Sequence, residues 1–72
     1  MTSILTMVRE DLADQEDLID EQEKLVALLR SAGLPTAQAQ EQLQRLYTIH
    51  VRFLELEIAL DPQAARSRGR LH

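Results

Sequence analysis

The segment Ser31-Ala32-Gly33-Leu34-Pro35-Thr36 interrupts an otherwise helical pattern near the middle of a 72-residue chain. Gly33 suits the left-handed residue that follows a helix end, Leu34 can cover the last turn, and Pro35 prevents continuation. Thr36 offers a hydroxyl as the N-cap of a second helix. A connection this short makes the flanking helices antiparallel neighbours.

Upstream of the turn, one helix is expected from about residue 3 to residue 32. A seven-residue repeat places Leu5, Leu12, Ile19 and Val26 at a positions, with Val8, Gln15, Gln22 and Leu29 at d. Ile4, Asp11, Leu18 and Leu25 form a flanking g row. Glu10, Asp14, Asp17, Asp20, Glu21 and Lys24 make the outer face, which reads as solvated. Downstream, a second helix is expected over residues 36–61, because Pro62 disfavours helix at the residue before it.

The second helix carries one series at Ala39, Gln42, Leu46, Ile49, Phe53, Leu56 and Leu60, and a second row at Leu43, Tyr47, His50, Leu54 and Ile58. Ten of the fifteen residues from Leu46 to Leu60 are apolar. Their arc covers roughly 220°, well beyond the ~100° that one neighbouring helix covers. A lone hairpin would leave that surface in water, which soluble monomers avoid. The expectation is an all-α antiparallel two-helix hairpin that dimerises into a four-helix bundle. Helix two then lies near the dimer axis, with Leu46, Ile49, Phe53, Leu54, Leu56 and Leu60 at the interface. A tetramer is the alternative assembly.

Composition agrees. Ala, Glu, Lys, Leu and Arg supply 36 of the 72 residues, the profile of a long helix or coiled coil. With two Gly and two Pro, the chain lacks the turn residues of an all-β domain. The absence of Cys excludes disulfides and thiolate chemistry. A core this small is marginal without staples, so helix packing or association must supply stability. The first residues carry no basic stretch before an apolar run, so neither a signal peptide nor a membrane span is expected. A soluble cytoplasmic protein is the default reading.

Polar residues fall where packing would prefer Leu, namely Gln15, Gln22, His50 and Glu57. A turn centred near residue 34 puts Gln22 opposite Leu46, Gln15 opposite Phe53, Leu12 opposite Glu57, and His50 beside Leu18 and Ile19. Such groups fix register through hydrogen bonds at a cost in stability. A metal or ligand site in the bundle is the competing reading. The chain has no Glu-x-x-His and no His-x-x-x-His, so no metal or other cofactor is expected. No nucleophile with a nearby His–acid pair and no Gly-rich phosphate loop is present, so the chain does not read as an enzyme. Asp20–Lys24 and Glu41–Arg45 have the spacing of stabilising ion pairs.

Charge is divided unevenly. Residues 1–61 carry all twelve acids and five bases, a net of −7, while residues 62–72 carry three Arg and a net of +3. The tail is expected to be flexible, apart from one further turn started by Asp61-Pro62. Arg66, Arg68 and Arg70 could touch nucleic acid or an acidic partner. Three charges with no interleaved aromatic residue favour a solubilising role instead.

Ile19, Gln22, Leu25, Val26, Leu29, Gly33, Thr36, Ala39 and Leu43 match a pattern of short bacterial helical-hairpin proteins, notably from rhizobia and related α-proteobacteria. The chain resembles that family over roughly residues 16–45. It departs from it where the family carries His and Arg in helix one, and in the register of the second-helix His. The resemblance implies a hairpin and brings no activity with it. The function expected is a small self-associating interaction or structural module. The alternatives are an adaptor that binds an amphipathic helix of another protein, or weak nucleic-acid contact through the tail.

Overall fold

A computed structural model of the chain describes residues 3–63. Two helices, α1 (Ile4–Ser31) and α2 (Ala37–Leu60), pack against each other as an antiparallel pair, and no strand occurs among the described residues. The expected tail, including Arg66, Arg68 and Arg70, lies outside the described residues except at its first two positions.

α1 starts with a formed cap. Ser3 is extended (φ −74°, ψ 158°), and its hydroxyl accepts the backbone N–H of Thr6. That satisfies one of the donors that every helix start leaves free. At the other end, Gly33 adopts φ +72°. The Gly33 N–H donates to the Arg30 carbonyl at 3.1 Å, and the Leu34 N–H donates to the Leu29 carbonyl at 2.9 Å. These paired bonds are the Schellman arrangement, which needs a left-handed residue between them.

The start of α2 corrects one expectation. Thr36 makes no side-chain cap bond. Its backbone (φ −112°, ψ −2°) is already near helical, whereas a capping side chain works from extended backbone such as that of Ser3. Thr36 serves through its carbonyl, which accepts the Gln40 N–H at 2.9 Å. α2 ends where expected. Asp61 before Pro62 is extended (φ −143°, ψ 92°), and its carboxylate accepts the Gln63 N–H in an Asx turn.

Buried apolar residues are Val8, Leu12, Ile19 and Val26 from α1, with Ala39 from α2. Leu5, Gln22 and Leu29 are half-buried and complete the a/d row of α1. α2 contributes Leu43, Leu46, Tyr47, His50, Phe53 and Leu54 as half-buried residues, and Glu57 as a buried one. The line of α2 that faces α1 therefore runs Ala39, Leu43, Leu46, His50, Phe53, Glu57. It takes members from both rows read in the sequence, and Gln42, Ile49, Leu56 and Leu60 fall outside it.

Candidate interaction surface

Three polar ties cross the seam at three levels. Near the turn, the Gln22 amide nitrogen donates to the Ala39 carbonyl at 2.9 Å. In the middle, His50 Nδ1 lies 3.0 Å from Gln15 Oε1, and with that oxygen facing the ring, Nδ1 is the donor. The other ring nitrogen sits 4.0 Å from Glu16. At the open end, Arg9 reaches Glu57 at 3.3 Å and Asp61 at 2.8 Å. The Glu57 carboxylate is almost fully enclosed, while the Arg9 side chain is half exposed, so that pair sits at the edge between seam and solvent. Among the described residues no buried side-chain nitrogen or oxygen lacks a hydrogen-bond partner.

These ties give the polar residues partners that the expected pairings left out. Gln15 bonds His50, Arg9 pairs with Glu57, and His50 also has Glu16 at 4.0 Å. Gln22 keeps Leu46 as a groove neighbour and bonds further toward the turn. The Schellman turn centres the hairpin on Gly33, one residue before the pivot read from the sequence, and the Arg9–Glu57 tie is symmetric about that centre. An amide buried among apolar neighbours alone would lose hydrogen bonding, whereas His50 returns it. Neither Asp20–Lys24 nor Glu41–Arg45 is among the ion pairs of the described residues, as fits exposed side chains with little to gain from one fixed geometry.

Outside the seam, large apolar side chains remain uncovered. On α1 these include Ile4, Leu18 and Leu25, at 67%, 50% and 41% exposure, and on α2 Ile49, Leu56 and Leu60. Helical phase puts them on one side of the hairpin. Leu18 and Leu25 flank Gln15 and Gln22, while Ile49 and Leu56 flank Leu46 and Phe53. A groove lined by Leu18, Gln22, Leu25, Gln42, Arg45 and Leu46 joins the two helices on that side. Of the six interface residues read from the sequence, Leu46, Ile49, Phe53, Leu56 and Leu60 belong to this side. Leu54 lies across the seam, on the side that carries Tyr47, Val51 and Ile58.

That second side has its own polar feature. The Tyr47 phenol is held above its ordinary pKa of 10.0, first by partial burial, then by its hydrogen bond to Glu23 and the charge of that carboxylate. Sequence reasoning passed over Arg9 and Glu23. The signal that finds Arg9 is its distance from Gly33, which equals that of Glu57.

Among the described residues no group of three His, Cys, Asp or Glu side chains could hold a metal ion, and no helix is long and apolar enough to cross a membrane. No family model matches the chain, and neither does any curated protein or any solved structure.

Proposed function

We propose that the chain is a small self-associating module whose task is interaction, with two hairpins joined as a four-helix bundle. What carries this reading is the open apolar side. Leu18, Leu25, Ile49, Leu56 and Leu60 are exposed, while the buried apolar set among the described residues is Val8, Leu12, Ile19, Val26 and Ala39. These five side chains are already about half covered, so burying them on each copy gains about half of the roughly 1.5–3 kcal/mol of a full burial apiece, against an association cost of about 4–15 kcal/mol. A second copy offers the same surface, so an isologous dimer satisfies both faces at once.

Sedimentation equilibrium at micromolar concentration, with helicity followed by circular dichroism, tests the reading. The expected mass is twice 8.2 kDa. A folded species of 8.2 kDa at every concentration refutes it. Phe53→Asp places a charge in the seam between α1 and α2, at the edge of the open side, and is expected to dissociate or unfold the assembly. An unchanged mass and melting point in that variant would remove α2 from the interface.

A further inference from the structure

Which helix lies on which follows from charges at the edges of the open side. Leu18 is bordered on its outer edge by Asp14 and Glu21, four residues before it and three after, and both are exposed. Ile49 is bordered in the same way by Arg45 and Arg52, also exposed. The edge of α1 beside Leu18 is therefore acidic and the edge of α2 beside Ile49 is basic, with Glu41 beyond Arg45 toward the turn. The Gln15–His50 and Arg9–Glu57 ties set the levels of the two helices, and in that register Glu21 stands level with Arg45, and Asp14 with Arg52. Glu21 and Arg45 also line the same groove.

Two isologous arrangements can bury this side. A two-fold axis across the helices lays α1 on the partner's α1 and α2 on the partner's α2. Acid edge then meets acid edge and base meets base. A two-fold axis along the helices lays each α1 antiparallel on the partner's α2. It preserves levels, so Glu21 meets Arg45 of the partner subunit and Asp14 meets Arg52 of the partner subunit.

Resting on the self-association proposed above, we infer that the partner is a second copy packed the second way, α1 against α2, and that complementary edge charges select this arrangement over the other. Opposite charges across an interface fix register, and like charges suppress the wrong pairing.

Because the chain has no Cys, single thiols can be placed cleanly. Glu21→Cys and Arg45→Cys chains are treated with a short bis-maleimide, each alone and then mixed. The expected result is a cross-linked dimer in the mixture and none from either variant alone. Cross-linking of Glu21→Cys with itself, or an associated mixture that gives no cross-link, overturns the arrangement while leaving self-association intact. A chain that sediments as a monomer overturns both. As a second measurement, Arg45→Glu with Arg52→Glu is expected to weaken dimerisation about tenfold or more at low salt. Adding Asp14→Arg and Glu21→Arg to that chain should restore it. Unchanged dimerisation in the Arg45→Glu, Arg52→Glu chain, or no recovery in the fourfold variant, rejects the charge argument.

Discussion

The tie between Gln15 and His50 predicts an asymmetry. Gln15 is 8% exposed, so its amide has the His50 ring and little water to turn to. The His50 side chain is 16% exposed and has Glu16 at 4.0 Å, so it retains other partners. His50→Leu leaves a buried amide unsatisfied, at about 1–3 kcal/mol, and the added apolar burial returns about 1 kcal/mol of that. The net expectation is a loss of about 1 kcal/mol. Gln15→Leu removes the buried group itself and is expected to be close to neutral. The double replacement leaves no orphan and should be more stable than the parent by about 1–2 kcal/mol, as when both partners of a buried polar pair become apolar. Each kcal/mol corresponds to about 4–8 °C in Tm for a chain of this size. The assay is urea and thermal unfolding of the four proteins at one fixed concentration, since association shifts apparent stability. If the double variant equals the sum of the singles within about 0.5 kcal/mol, the two groups are not coupled and the reasoning fails.

Three further outcomes are expected. Gly33→Ala should cost about 1–2 kcal/mol in unfolding experiments, and because an added Cβ meets nothing within 4 Å, that cost is the left-handed backbone alone; a neutral result would mean that the turn reforms another way. Ser3→Ala should lower stability by about 1 kcal/mol while Thr36→Ala changes it little, because only the former hydroxyl caps a helix. Equal losses would contradict the cap geometry. Tyr47 should titrate above 10.0 by ultraviolet absorbance, and Glu23→Gln should lower the midpoint toward that value. With a raised folded pKa, the contribution is fully present below pH 10 and is lost as pH rises through the folded midpoint, so a fold that gains stability above pH 10 from this group would have the opposite sign.

The face of α1 was legible because its signals agree. Leu5, Leu12, Ile19 and Val26 repeat every seven residues, with Val8 beside them, opposite a run of acids, and that face is the covered one. The turn was legible from Gly33 and Pro35. The orientation of α2 was not, because apolar residues occupy most of its circumference and hydrophobicity gives no preferred direction. Its direction follows the polar groups His50 and Glu57, which a hydrophobic pattern ranks last. They face inward because Gln15 and Arg9 wait there to pair with them. Thr36 shows the same limit locally, since residue type suggests a cap but ψ determines whether the hydroxyl can reach.

The hairpin divides two tasks that larger domains combine in one core. Its seam is polar at three levels, at Gln22, at Gln15 with His50, and at Arg9 with Glu57 and Asp61. A slip by one turn would break all three ties together, so the seam selects register more than it stabilises. The apolar residues able to supply stability, Leu18, Leu25, Ile49 and Leu56, are outside. In the proposed bundle these two sets have different signatures. Ile49→Ala or Leu56→Ala should lower the dimerisation constant and steepen the dependence of Tm on protein concentration. His50→Leu should lower Tm by a similar amount at every concentration, because it acts within each copy. If both kinds of variant shifted Tm with the same concentration dependence, the seam and the open face would be one cooperative core, and the separation of register from stability would be wrong.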